Sequence, residues 1–257
     1  MSGEVTLIDG GDQRVARLVH TAAALFARPG FGPAALVGGL AVTVRLATVH
    51  RATNDVDVVS GGEGPERMVL EYLGDRDAAG TRRRMIDGVK VDVISTEPLP
   101  DAASDLPDED GPRLFVLGHR WALESAESAE IRVASQAGTQ VVAGARLAVA
   151  TAPALLACKL HAISDRSAAR PEKQESDATD LVRLVSDLVG VPRLDEQFAT
   201  APFDLPALVD REVRRWFIED SLRMARLVNV DGSGRVEPAT IAALGRLFGE
   251  RLAPSAA

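Results

Sequence analysis

The alternating apolar and polar residues typical of β-strands are confined to the first 150 residues of this 257-residue chain. There, strands are predicted at residues 34–37, 55–59, 82–86, 89–94, 114–117, 131–134 and 145–149. Helical spacing occurs at 12–28, 40–46 and 65–73, and it dominates later, at 154–163, 175–189, 206–228 and 238–252. The sequence therefore predicts an α+β fold, with a mixed β-sheet domain and its helices at residues 1–150 and a mainly α-helical C-terminal domain at residues 151–257.

Composition narrows the class of protein. Hydrophobic residues make up 46% and charged residues 26%, as in ordinary globular proteins. The acidic, polar start is not typical of a signal peptide, no apolar run is long enough for a membrane span, and Cys158 is the single cysteine. We therefore expect a cytoplasmic protein with no membrane association. A net charge of −8 argues against bulk electrostatic binding of nucleic acid, but it allows a local contact with one RNA end.

Residues 37–59 contain the most informative arrangement, a strand, two glycines, a helix, a loop and an acidic strand. Gly38 and Gly39 would let backbone N–H groups approach a phosphate, and the following helix would direct its positive end to the same place. Asp55 and Asp57 are two residues apart on a strand, so both should project from one face. This pattern favours a site for a phosphorylated ligand.

A third carboxylate completes the set. In the run VKVDVI at residues 89–94, the valines project to one face while Lys90 and Asp92 project to the other. If this strand lies beside the strand of Asp55 and Asp57, the three carboxylates could hold two Mg²⁺ ions about 3.5–4 Å apart. The pattern favours nucleotidyl transfer, and a phosphohydrolase with clustered carboxylates is the alternative.

Together these residues resemble the sequence motifs of a known protein family. The two glycines followed by RATNDVD at residues 51–57 are similar to the signature of the DNA polymerase β superfamily, and within it to the AbiEii/MenT-like family, which includes toxins of toxin–antitoxin pairs. A helical Lys followed by an Asp-Leu helix is similar to later motifs of that family, here in residues 154–160, Lys173 and residues 177–181. The resemblance covers about residues 34–185.

The resemblance implies a nucleotidyltransferase fold and a magnesium-dependent enzyme. It would move NMP from an NTP to a macromolecular hydroxyl, with a tRNA 3′ end as the first candidate, and an antitoxin could be its partner. By the same resemblance Asp55, Asp57 and Asp92 are catalytic metal ligands, Lys159 contacts nucleotide phosphates and Asp180 orients the site. The family commonly has Ser or Thr directly after the two glycines, and this chain has Leu40 there.

Taken by themselves, several of these residues have other interpretations. Lys159 in an apolar helix could extend its charge to the surface. Asp180 could be solvated or paired with Arg183. Arg51, just before the acidic strand, could contact a nucleotide phosphate or form a salt bridge within its loop.

Two other functions fit the same aspartates. A small-molecule nucleotidyltransferase, such as one that modifies an aminoglycoside, would benefit from the acidic stretch at residues 101–110. A non-catalytic nucleotide-binding protein that keeps the fold ranks last, because all three expected metal ligands are present.

Two further patterns are weaker. Residues 229–240 resemble a calcium-binding EF-hand loop, but the twelfth position is Thr240 where a bidentate Glu is needed, which favours an ordinary turn. A basic stripe runs along the predicted helix 206–228 and is usually a solvated face, although it could contact an RNA backbone. Its members are Arg211, Arg214, Arg215, Arg223 and Arg226.

Overall fold

The computed structural model describes residues 4–48, 53–62, 64–69, 74, 84–165, 171–230 and 235–253. The chain forms two compact units. The first comprises Met1–Leu99 with Ala122–Thr151, and the second comprises Pro100–Trp121 with Ala152–Ala257. Each unit therefore takes residues from two separate stretches of the chain.

The described part of the first unit is built on a seven-stranded mixed sheet with the order β1-β6-β7-β2-β3-β5-β4. The strands are β1 (Glu4–Ile8), β2 (Ala34–Val37), β3 (Asp55–Gly61), β4 (Met85–Ile86), β5 (Val89–Thr96), β6 (Glu127–Ala134) and β7 (Val141–Val149). The pairs β1–β6, β7–β2 and β3–β5 are parallel, and the other neighbours are antiparallel. The predicted α+β class is confirmed, although β1 was not predicted.

A narrow seam joins two blocks of this sheet. Strands β2 and β7 share a single register pair, Leu36 with Val149, and the Ala150 N–H donates to the Leu36 carbonyl at 3.0 Å. Arg45 reinforces the seam, because its Nε donates to the Ala150 carbonyl at 2.7 Å and its Nη1 to Glu127 at 3.0 Å. The β1-β6-β7 block thus meets the β2-β3-β5-β4 block over a very short length.

Three helices accompany the described part of this sheet, α1 (Arg14–Phe26), α2 (Gly38–Arg45) and α3 (Gly64–Met68). The apolar face of α1 is buried through Leu18, Val19 and Leu25, which are at most 1% exposed. At the other end of the sheet, Asp87 and Gly88 both have positive φ and connect β4 to β5. This confirms the predicted Asp-Gly hairpin, because its tight turn requires left-handed backbone at both positions.

The larger elements of the second unit are all helices. They are α4 (Asp110–Glu124, of which residues up to Trp121 belong here), α5 (Ala152–Asp165), α6 (Pro171–Gly190), α7 (Leu194–Gln197), α8 (Leu205–Val213), a π-helix (Arg214–Glu219), α9 (Ser221–Val228) and α10 (Pro238–Leu252). Both tryptophans of the chain, Trp121 and Trp216, are buried in this unit. Tryptophan fluorescence therefore reports on its unfolding.

Two predictions for this region are wrong. The strand predicted at residues 114–117 is part of α4, where Leu114, Leu117 and Trp121 recur at helical spacing and are at most 2% exposed. A short apolar run fits a strand or a helix equally well, and the burial of these residues along one helix face explains why the segment is helical. The single helix predicted at 206–228 is interrupted by the π-helix and by a turn at Asp220, so that α8 and α9 are separate elements.

A histidine lies in the core of the second unit. His119 on α4 is 5% exposed, and its Nδ1–H donates to the Phe115 carbonyl at 2.9 Å. Its ring lies 4.5 Å from that of Phe115 and 5.8 Å from that of His161, measured between centroids. Burial is the main cause that lowers the pKa of His119 to about 4; the charge of His161 adds to this effect and the Phe115 hydrogen bond opposes it. His119 is therefore neutral near pH 7.

Acidification should destabilise the second unit through this residue. Below the ordinary histidine pKa of about 6.5 the unfolded chain binds a proton, whereas folded His119 stays neutral down to about pH 4. The free energy of unfolding should thus fall by up to roughly 3 kcal/mol between these pH values. Denaturant unfolding followed by tryptophan fluorescence measures it. His119→Phe should flatten the pH dependence of the unfolding free energy between about pH 6.5 and pH 4. The control His20→Gln changes an exposed histidine and should keep the wild-type slope. Equal slopes in wild type and both variants would show that His119 is not the cause.

Candidate functional site

The turn from β2 into α2 is shaped by Gly38. Its φ is +68°, a region that favours glycine, and a Cβ built on it would overlap the Asp57 carboxylate. The antiparallel register of β2 and β3 explains the closeness, because Val37 lies opposite Asp57. The two glycines thus bring the first turn of α2 against the acidic strand, and the positive end of the helix dipole lies beside a carboxylate.

Leu40 and Thr43 complete the start of α2. Leu40 is fully buried, so it contributes to the core. Thr43 is 2% exposed and donates its hydroxyl to the Gly39 carbonyl at 3.0 Å. Thr43 therefore does not take the place of the Ser or Thr that was expected after the glycines, and any phosphate contact here falls to backbone amides.

Strand β3 presents Asp55 and Asp57 on one face, while Val56 and Val58 are fully buried on the other. Strand β5 is parallel to β3 and pairs Asp57 with Asp92. The predicted adjacency of the two strands is confirmed. One carboxylate oxygen from each of Asp55, Asp57 and Asp92 lies within 4.8 Å of the others, and all three residues are partly exposed. We call these three residues the acidic triad.

The acidic triad suits a divalent metal. Carboxylate oxygens are hard ligands of the kind that Mg²⁺ takes, and like charges this close are stabilised by a cation between them. The Thr53 hydroxyl donates to Asp55 Oδ1 at 3.3 Å, which helps to orient that carboxylate. The donor set and its spacing therefore fit the magnesium ions expected from the sequence.

Gly38→Ala should damage this site. The new methyl group would occupy the space of the Asp57 carboxylate, and alanine is strained at φ +68°. We expect a loss of about 1–3 kcal/mol in unfolding free energy, with weaker Mn²⁺ binding measured by calorimetry. Gly64→Ala, in the same unit with open space around its Cα, is the control and should change neither quantity. Wild-type Mn²⁺ affinity in Gly38→Ala would contradict the role of this turn.

A second cluster lies in the helical unit. Lys159 on α5 contacts Asp177 and Asp180 on α6, with Nζ to carboxylate oxygen distances of 2.8 Å each. The side chains are 9%, 2% and 0% exposed. Lys159 therefore does not extend to the surface, and Asp180 is neither solvated nor dependent on Arg183 for its counter-ion. Asp177 belongs to the matched motif, but its contact with Lys159 was not predicted.

The remaining candidates contribute less. Arg51 lies outside the described residues, so its role stays a prediction. Of the calcium-like loop, residues 231–234 also lie outside them. Asn229 accepts from the Val236 N–H at 2.8 Å and donates to its carbonyl at 2.9 Å, while Glu237 pairs with Arg235 at 2.9 Å. Asn229 and Glu237, which fall at ligand positions 1 and 9 of an EF-hand loop, thus have internal partners, as in an ordinary turn.

The basic stripe carries less surplus charge than its sequence indicates. Arg211, Arg214 and Arg215 form ion pairs with Asp110, Asp210 and Glu212 at 2.9, 3.8 and 3.4 Å, respectively. Arg223 lies over the Trp216 ring, 5.0 Å from its centroid. Within the described part of the chain, no ion pair includes Arg223 or Arg226. At most these two remain as candidates for RNA contacts.

Comparison with known proteins adds one match. A family model described as "Nucleotidyl transferase AbiEii toxin, Type IV TA system" matches residues 22–203. That range includes both glycines, the acidic triad and the Lys159 cluster. No curated protein and no solved structure matches the chain. Among the described residues, no helix combines the length and apolar character needed to cross a membrane.

Proposed function

Because the chain belongs to the AbiEii family of nucleotidyltransferase toxins from type IV toxin–antitoxin systems, we propose that it transfers NMP from an NTP to a macromolecular hydroxyl, in the first place that of a tRNA 3′ end. The observation that carries this proposal is the convergence of Asp55, Asp57 and Asp92 beside the Gly38 turn. The reaction would take place in the cytoplasm, where NTPs and tRNA are present, and an antitoxin would be the partner that the family description implies.

The bond changes follow from the substrates. The acceptor hydroxyl oxygen forms a bond to the α-phosphorus, and the bond from that phosphorus to the bridging oxygen of the β-phosphate breaks. Pyrophosphate leaves, and the hydroxyl proton passes to a carboxylate oxygen of the acidic triad. Asp55, Asp57 and Asp92 would hold two Mg²⁺ ions, whose charge supplies stabilisation for the phosphate oxygens and the leaving group.

Other residues of the chain would bind the nucleotide. The backbone amides at Gly38 and Gly39 would donate to phosphate oxygens at the positive end of α2. Lys159 would contact the phosphates, with Asp180 holding its ammonium group in place. The buried ion pairs of Lys159 support a fixed position for its ammonium group, because burying such a cluster is unfavourable unless its geometry is well satisfied.

A small-molecule acceptor is the second candidate. The segment from Asp101 to Asp110 is rich in carboxylates, and Asp101, Asp105 and Asp108 are exposed. Such a surface would attract a polycationic acceptor such as an aminoglycoside. A nucleotide-binding protein without catalysis is the third, and it is disfavoured because all three triad carboxylates are present.

Label transfer tests these alternatives. The protein would be incubated with Mg²⁺, each of four α-labelled NTPs and, in turn, total RNA, a protein extract or an aminoglycoside panel. Label on tRNA that is lost in Asp57→Ala is the expected result, and it would also identify the nucleotide. Label on protein would identify a protein hydroxyl as the acceptor in place of tRNA. Label only on small molecules would favour the small-molecule nucleotidyltransferase. Nucleotide binding without any transfer would favour the non-catalytic alternative.

A further inference from the structure

A fourth charged residue shares the sheet face of the acidic triad. Lys90 precedes Asp92 by two residues on β5, and the parallel register places Lys90 opposite Asp55 just as it places Asp92 opposite Asp57. The four side chains form a two-by-two array on neighbouring strands. Lys90 Nζ contacts Asp92 Oδ2, and the Lys90 side chain is 48% exposed. Lys90 is therefore a counter-ion of the acidic triad.

This contact conflicts with metal binding. Metal binding at Asp92 weakens its contact with the Lys90 ammonium, because the two cations repel each other and draw on the same carboxylate charge. The long, half-exposed Lys90 side chain can move away without disturbing the fold. The anionic group that would arrive with the metal is the triphosphate, so the released ammonium has a new partner of opposite charge.

We propose that Lys90 exchanges partners during substrate binding, from Asp92 to a phosphate of the bound NTP. The inference rests on the nucleotidyltransferase function proposed above, and it adds a substrate-contacting residue that neither the sequence motifs nor the family match assigns. Residue choice supports it: only three of the 29 basic residues are lysines. An arginine would bind Asp92 through two parallel hydrogen bonds, whereas a lysine is a compact point charge that dissociates from the carboxylate more readily.

The test measures metal and nucleotide binding separately. Mn²⁺ binding to nucleotide-free protein would be followed by electron paramagnetic resonance, and binding of a non-hydrolysable NTP analogue with Mg²⁺ would be followed by calorimetry. We expect Lys90→Met to bind Mn²⁺ roughly threefold to tenfold more tightly, because the competing cation is gone, and the analogue roughly tenfold more weakly. Lys90→Arg should bind Mn²⁺ more weakly than wild type. The control is Arg132→Met, a strand cation of matching exposure at 49%.

The outcomes separate this inference from the proposed function. Unchanged Mn²⁺ and nucleotide affinities in Lys90→Met would overturn the partner exchange, and so would a change in only one of them, because exchange requires both. Equal changes in Arg132→Met would overturn it as well, since they would indicate a general charge effect. If Asp57→Asn binds Mn²⁺ as well as wild type does, the metal site itself is wrong, whatever Lys90 does.

Discussion

Replacement of Asp57 by Asn should lower NMP transfer by at least about a thousandfold while leaving the fold intact. Asn has the same shape as Asp but no negative charge, so it binds Mg²⁺ poorly. A bound metal provides several kcal/mol of transition-state stabilisation, and each 1.4 kcal/mol corresponds to a tenfold change in rate. The central position of Asp57, opposite Asp92 and against Gly38, makes this the most damaging single change in the triad. Label transfer under saturating NTP measures the effect.

The control for this change is Asp165→Asn, which removes the same charge from an exposed residue of the second unit. It should transfer NMP at the wild-type rate. Thermal unfolding of Asp57→Asn should resemble that of wild type, which would exclude misfolding as the cause of inactivity. Transfer by Asp57→Asn within tenfold of wild type would rule out the acidic triad as the catalytic centre.

Lys159→Met should have the largest effect on stability. The change removes the cation between Asp177 and Asp180, whose side chains are 2% and 0% exposed. Breaking a buried ion pair by removing one partner costs about 3–5 kcal/mol, because the remaining charge stays buried. Tryptophan fluorescence during urea unfolding reports on this unit specifically. Arg211→Met breaks an exposed pair with Asp110 and should cost at most about 1 kcal/mol.

A triple variant separates the structural from the functional role of Lys159. Combining Lys159→Met with Asp177→Asn and Asp180→Asn neutralises the whole cluster, and it should recover most of the lost stability. Transfer activity should nevertheless stay low, because no ammonium group remains to contact the phosphates. Full activity in the stable triple variant would show that Lys159 has a structural role alone.

The acidic triad was predictable from sequence because strand periodicity is local. Two-residue spacing places Asp55 and Asp57 on one face, and the valines around Asp92 identify the face opposite the core. The adjacency of β3 and β5 was the condition on which the prediction of the third carboxylate depended, and the parallel pairing of the two strands meets it. By contrast, Lys90 was placed on the correct face, but its position opposite Asp55 depends on the register, which local periodicity does not specify.

Other features depend on tertiary contacts that a local pattern does not contain. The run at residues 114–117 fits a strand or a helix equally well, and only the burial of Leu114 and Leu117 along α4 decides between them. The burial of Lys159 depends on two carboxylates from the next helix. Likewise, β1 is short and is held in the sheet by pairing with β6, where Glu4 lies opposite Glu130.

The seam between β2 and β7 has a consequence for how the molecule can vary. The acidic triad lies wholly in the β2-β3-β5-β4 block, and the strand pairing that joins this block to β1, β6 and β7 is a single register pair with a few hydrogen bonds. Lengthening or trimming of the β6–β7 hairpin would therefore transmit little distortion to the carboxylates. The sheet combines a chemically constrained half with a half that is free to diverge, so new recognition surfaces could evolve at the β1 edge without altering the reaction.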